Sequence, residues 1–412
     1  MHDRVAAKRG SATGGRLGMF SKIPRKVRLL IYLISFSACA YGYLLILITA
    51  YLPELGVELD NVGLIVGATG LTFVLSAIPI GMLSDRKGRK PVLFFGLLFL
   101  PPTLIVFGFT TNVTILLVAA IVAGIAESAY LTSWNAIIAD ETSVDDRDAA
   151  FSLSFIVGTG AMGIGMAFPV TFPLVTSLTG LDIHTVHVGT LVFFSLLAMV
   201  SPLLLWPMLK GHRDVKRVKG GKPDFKRLRP MMKFSAVNGL IGLGAGFIIP
   251  LMATWFLKKF LVPDSLSGPL LALANMTIAL AAIVSSPLSK RYGQVRAIVL
   301  TQSLSMIFML SLAFMPTAIL AGAVYLVRAA LMNMSSPIAD SFLMGIVAKE
   351  DRGIASAVNS LFWRLPNSAT TIIGGRILKS GNYDLPIFIA AGFYALGISL
   401  FYLIFRKARP SG

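Results

Sequence analysis

Twelve apolar runs of span length, separated by charged or Gly/Pro breaks, constrain this chain more than any other feature. They lie at about 29–52, 60–83, 91–110, 113–139, 149–177 and 188–209, then at about 233–257, 267–289, 297–316, 318–347, 353–378 and 385–405. Each reaches the roughly 20 residues that a helix needs to cross a hydrocarbon core. None alternates strictly between apolar and polar positions, so backbone groups in lipid must be satisfied within helices and not in a barrel. The chain is 55% hydrophobic and only 14% charged, against roughly 25% charged residues in soluble domains. A water-soluble enzyme is thereby excluded, and twelve spans leave no room for a sizeable soluble domain.

The formal charge of +18 would suggest nucleic acid in a soluble protein. Here the basic residues crowd beside apolar runs, the pattern of cytoplasmic membrane flanks, so no nucleic-acid partner is expected. With the amino terminus in the cytoplasm, 31 of the 37 Lys and Arg fall in inside loops and tails. Of the rest, Arg328 and Arg364 lie in mid-span, and Lys258, Lys259, Arg376 and Lys379 sit at or near outer ends. This bias predicts an integral protein of the cell (plasma or inner) membrane with both termini cytoplasmic. Residues 1–28 form a basic tail; the run after them is span-length and lacks a small-residue cleavage site, so it reads as an anchored first helix. The single cysteine, Cys39, lies inside that run and can form neither an intramolecular disulfide nor a thiolate metal cluster.

The halves repeat. At a constant shift of 205 residues, Thr49 pairs with Thr254, Gly63 with Gly268, Thr72 with Thr277, Arg86 with Arg291, Gly88 with Gly293 and Asp146-Arg147 with Asp351-Arg352. A gapless shift of half the chain length predicts two homologous six-helix bundles, 29–209 and 233–405. The basic segment 210–232, with Gly220-Gly221-Lys222-Pro223, is the expected cytoplasmic linker, and 406–412 a short tail.

Between the second and third runs stands Gly81-Met82-Leu83-Ser84-Asp85-Arg86-Lys87-Gly88-Arg89-Lys90-Pro91-Val92-Leu93. This stretch resembles the signature loop of the major facilitator superfamily, matched throughout except at Ser84. A weaker copy, Leu288-Ser289-Lys290-Arg291-Tyr292-Gly293, occupies the same point of the second half. The resemblance implies an all-α polytopic membrane protein, with twelve transmembrane helices in two pseudo-symmetric six-helix bundles around a central site. Physically, Gly88 suits a tight turn, and a carboxylate at Asp85 can attract the amino end of a neighbouring helix. The family implies that Asp85 meets the start of helix 11 near Gly353 and latches the cytoplasmic side, aided by Gly81, Arg86 and Arg89. Lys290 replaces the acid in the second copy, so the latch is expected on one side only. The paired turns Asp145-Asp146-Arg147-Asp148 and Glu350-Asp351-Arg352 place acids in first helical turns, where they complement the dipole; the resemblance adds a gating role for Asp146, Arg147, Asp351 and Arg352.

Glu127 lies near the middle of the fourth run, where an ionised carboxylate costs several kcal/mol unless paired, hydrated or protonated. Tyr130 and Trp134 follow on the same helical face. The eleventh run carries Ser356, Ser360, Arg364, Asn367 and Thr371 as one polar stripe, and the tenth carries Arg328, Asn333, Ser336 and Asp340. The arginines are candidates either to pair with Glu127 and Asp340 or to grip an anionic solute. The family's proton antiporters carry an arginine four residues before a glycine in helix 4, but this chain has Ala120 before Gly124. Their Gly-Pro pair in helix 5 is also missing. Gly158-Thr159-Gly160-Ala161-Met162-Gly163 matches a dinucleotide fingerprint only formally, since it lies inside a span with no preceding strand. Asp182, His184 and His187 lack further clustered metal ligands and read as an extracellular turn; none of the four histidines is expected within a span.

The expected function is a secondary active transporter working by alternating access, with no enzymatic site. Its cargo is a small organic solute, an organic anion by the two arginines, with proton coupling through Glu127. The alternatives are drug/proton antiport of amphipathic or cationic compounds, suited by Glu127, Tyr130, Trp134 and Trp363, and, in another class, a lipid scramblase or transport-fold receptor. Substrate or proton contacts are expected at Glu127, Tyr130, Trp134, Arg328, Asn333, Asp340, Arg364 and Asn367. The expected partners are the solute and the bilayer, with no cofactor or metal, an ion gradient or the solute's own gradient as the energy source and a monomeric state.

Overall fold

The computed structural model describes residues 23–210, 225–348 and 351–408. Glu350 and most of the 210–232 linker lie outside these residues, as do the side chains of Asp145, Asp148 and Arg352. The first half holds α1 (Arg25–Ile46), α2 (Leu59–Lys87), α3 (Arg89–Phe109), α4 (Val113–Glu141), α5 (Val144–Ala167) and α6 (Ile183–Met208). The second holds α7 (Phe225–Gly246), α8 (Asp264–Tyr292), α9 (Gln294–Leu312), α10 (Ala318–Ile346), α11 (Arg352–Lys379) and α12 (Leu385–Phe405). Three are extended by irregular turns. α1 runs on through a π turn at Leu47–Tyr51, α5 through Phe168–Thr171 into Phe172–Thr179, and α7 through Ile249–Leu251 into Met252–Phe260. Pro169 and Pro250 stand in the last two breaks, where a missing amide and a fixed φ end the regular ladder.

Among the described residues, ten of these segments are long and apolar enough to cross a membrane. The other two long helices are Asp264–Tyr292 and Arg352–Lys379. Helix starts follow local chemistry: the side chains of Asn112, Ser143, Asp182 and Thr317 accept amide hydrogen bonds from the first turns of α4, α5, α6 and α10.

The repeat is visible in geometry. Gly88 and Gly293 close the matched turns with φ/ψ of 97°/149° and 78°/155°, a region that costs a residue with a Cβ about 1–3 kcal/mol. Gly88→Ala is therefore expected to lower unfolding stability by about that amount, read as a lower melting temperature with transport still measurable. Thr254 donates its hydroxyl to the Thr49 carbonyl, so two repeat-related residues meet at the axis between the halves.

Two inter-bundle seams close the face opposite the basic loops, α2 against α11 and α5 against α8. A Cβ on Gly63 would sit 2.7 Å from the Gly375 Cα, and one on the repeat-related Gly268 would strike the Met166 carbonyl. The α2–α11 seam continues through Gly67 and Gly70 onto Ser368, but a Cβ on Gly81 would meet only Thr132 of its own bundle. The bundles therefore touch at one face and part towards the basic one.

Candidate functional site

Among the described residues, two cavities lie between the bundles. The larger, about 580 Å³, is lined by α1 (Ser37, Tyr41), α4 (Glu127, Tyr130, Trp134), α5 (Phe151, Phe155, Met162) and Arg364 of α11. The smaller, about 160 Å³, lies nearer the closed face and is lined by Thr69 and Gly70 of α2 and by Arg364, Asn367 and Thr371 of α11. Tyr41 and Arg364 line both and stand at their junction.

Glu127, Tyr130 and Trp134 lie on one wall because α4 is regular from Val113 to Glu141, so spacings of three and four return to one face. The Trp134 indole N–H donates to the Ser154 hydroxyl at 3.0 Å, fixing the ring between α4 and α5. The polar groups acting on the Glu127 carboxyl are the Tyr41 phenol and the Arg364 guanidinium. Arg364 is exposed to the open space, with its guanidinium 4.8 Å from the centre of the Phe73 ring. Asn367 is turned inward by a hydrogen bond to the Gly242 carbonyl at 3.1 Å. The arrangement offers one carboxyl and one guanidinium on an aromatic wall, open towards the basic face.

The residues expected on α10 are placed elsewhere. Arg328 is 5% exposed inside the second bundle and donates to the Tyr394 hydroxyl of α12 at 2.8 Å. Asn333 donates to the Thr277 hydroxyl of α8 at 2.9 Å, and Asp340 is exposed. None of the three lines either cavity. Depth in the span was readable from sequence, whereas direction around α10 depends on which neighbour supplies a polar partner. Tyr41 was missed because one tyrosine in an apolar run resembles packing; its spacing of four from Ser37 was the available signal.

The gating candidates divide similarly. Asp85 and Arg86 are exposed, and Asp85 has no hydrogen bond or ion pair among the described residues, so the link to α11 is absent in this open-faced state. Arg89, in contrast, is buried, paired with Asp140 and hydrogen-bonded to the Ala136 carbonyl at 3.2 Å; it ties α3 to α4 within one bundle. Asp146 accepts from Ser143 at 2.9 Å, and Arg147 donates to the Ala139 carbonyl at 2.9 Å, building the α4–α5 corner. At the closed face, Lys379 of α11 bridges to Asp60 of α2 at 2.9 Å and also pairs with Glu58. The expectation that no histidine lies within a span is corrected: α6 begins five residues earlier than the apolar run, and His187 is 1% exposed within it. The Asp182 cap, bonded to the Thr185 amide at 2.9 Å, was the overlooked signal.

The family model described as Major Facilitator Superfamily matches residues 29–235 and again 234–412. Multidrug resistance protein 1 of Bacillus subtilis is 26% identical over 369 residues, covering 84% of this chain and 88% of that protein. Multidrug resistance protein MdtG of Proteus mirabilis is 25% identical over 395 residues, covering 91% and 94%. The crystal structure of a mutant of the nucleoside transporter NupG superposes with a TM-score of 0.73 at 16% identity, covering 92% of this chain and all of that one. With the duplicated bundles and the cavity between them, these matches carry one conclusion: the chain belongs to the major facilitator superfamily.

Proposed function

We propose that this protein is a proton-coupled exporter of amphipathic, cationic or neutral organic compounds. The observation that carries the reading is the cavity of about 580 Å³ with Glu127 as its carboxyl and Tyr41, Tyr130, Trp134, Phe151 and Phe155 around it. Aromatic faces attract cations and accept varied apolar shapes. The placement of Arg328 supports the same choice, since the anion reading relied on two arginines and only Arg364 faces the cavity. The multidrug resistance names of two relatives spanning most of the chain agree.

In mechanism, Glu127 accepts a proton or a cationic solute but not both. With Arg364 and Tyr41 beside it, the carboxyl exchanges partners as the solute enters. The bundles then rock about the seams at Gly63 and Gly268, closing the basic face while the other opens. The basic loops and both termini face the cytoplasm in this reading, so the open cavity loads from within the cell.

Proteoliposomes with an imposed pH gradient test the substrate class. A lipophilic cation such as ethidium is expected to be transported against its gradient and to be displaced by other lipophilic cations, not by small carboxylates. Transport confined to carboxylates would overturn the reading in favour of an anion carrier using Arg364.

A further inference from the structure

Beside the α5–α8 seam, at the closed face, lies a buried cluster that the transport cavity does not use. His187 of α6 and Asp264 of α8 belong to different bundles. They face each other with Nε2 and Oδ2 3.4 Å apart, and their side chains are 1% and 7% exposed. Neither atom has a hydrogen-bond partner among the described residues. On the other side of the ring, Nδ1 lies 3.0 Å from the Tyr43 hydroxyl, which also lies 3.1 Å from the His187 carbonyl. The Tyr51 ring stacks on His187 with centroids 3.5 Å apart, and its hydroxyl meets His184 Nδ1 at 3.1 Å.

Proton counting constrains what can sit in that gap. With no proton there, an imidazole lone pair faces a carboxylate in a buried site, which is repulsive. With a single proton on Nε2, the neutral ring faces a carboxylate and the site carries a net buried charge of minus one. A proton on Nδ1 towards Tyr43 and a second between Nε2 and Oδ2 make the pair net neutral, whether written as imidazolium with carboxylate or as imidazole with carboxylic acid. Buried sites favour that balance because uncompensated charge is costly out of water.

Among the described residues, no lysine or arginine acts directly on the pair. The titratable groups facing the pair are Tyr43 and Tyr51 of α1, Glu54 of the following loop, and Asp182 and His184 at the start of α6. Lys258 acts on Glu54, and hydrogen bonds from Thr185 hold the Asp182 carboxyl below the usual carboxylate range. When the face opens, the two side chains separate into water, where near neutral pH histidine is largely unprotonated and aspartate ionised.

We propose that His187 and Asp264 form a proton-binding site across the bundle seam, filled when this face closes and emptied when it opens. The face exposed to the outside is thereby tuned by external pH, separately from proton coupling at Glu127. The proposal rests on the alternating-access reading above but not on the identity of the cargo. One extra proton in the closed state means that acid favours closure, by up to about tenfold in the closed-to-open ratio per pH unit.

Spin labels at Leu178→Cys and Ile319→Cys, both exposed at this face, placed on a Cys39→Ala chain in lipid nanodiscs, read the separation of the bundles. The measurement is made in the Glu127→Gln variant, so that the cavity carboxyl contributes nothing. Between about pH 6 and about pH 8, the population at longer distance is expected to grow with pH, with a slope that approaches one proton above the ordinary histidine pKa of about 6.5. Adding Asp264→Asn or His187→Gln is expected to flatten that slope. A distance distribution that ignores pH in the Glu127→Gln protein overturns the proposal, as does a slope that persists in either seam variant. Should a seam variant fail to fold, the slope of the protein without it decides. Failure of the cargo assay leaves this readout unaffected.

Discussion

Vesicles carrying Glu127→Gln are expected to show no uphill, pH-gradient-driven ethidium transport, while still exchanging the dye down its own gradient. The expected loss of coupled flux is complete because glutamine cannot give up a proton at any accessible pH. An unpaired charge at mid-membrane costs about 2.5–3.5 kcal/mol on insertion scales, so the carboxylate needs a partner whenever the cavity closes. Arg364 can be that partner in the empty carrier, a proton or a cationic solute in the loaded ones. Each change of partner is coupled to the side on which the cavity opens, and a neutral side chain removes the link while leaving the aromatic wall in place. Stopped-flow dye fluorescence with a parallel internal pH indicator separates the two fluxes. Undiminished coupled flux in the variant would sink the role assigned to Glu127.

Much of this architecture is legible before any coordinates, since twelve apolar runs and a 205-residue repeat leave few ways to arrange a chain in lipid. The repeat carries even fine detail: the matched glycines at 88 and 293 adopt matching positive-φ turns, and Thr49 meets Thr254. What escapes is direction around a helix. Glu127, Tyr130 and Trp134 share a face by spacing alone, and that face does line the cavity. Arg328 is a mid-span arginine like Arg364, but its orientation follows Tyr394, a residue 66 positions away with nothing in the pattern to link them. His187 escapes for a different reason, because hydropathy marks where apolar residues begin and not where a capped helix begins. Asp182 starts α6 one turn earlier and carries the histidine inside.

The seams themselves yield the other large effect. A leucine at Gly63 places its Cβ 2.7 Å from the Gly375 Cα and 2.8 Å from the Thr371 carbonyl, both backbone atoms that cannot yield. Overpacking of this kind costs about 1–3 kcal/mol. Here the penalty falls on one conformation only, since Gly63 and Gly375 belong to different bundles and part when this face opens. Such a bias changes the closed-to-open ratio by about five- to 150-fold, so Gly63→Leu is expected to hold the carrier open at this face and to reduce turnover by about the same range. Binding of ethidium to the purified protein and its elution as a folded species should both survive. Gly165→Leu is the contrasting case: its Cβ strikes the Cys39 carbonyl within the first bundle, a contact present in every rigid-body state. That variant is expected to lose assembly, seen as aggregation on gel filtration before any assay of transport. If Gly63→Leu turned over at the parent rate, the seam at Gly63 and Gly375 could not be a contact that each cycle makes and breaks, and rocking about it would have to be abandoned.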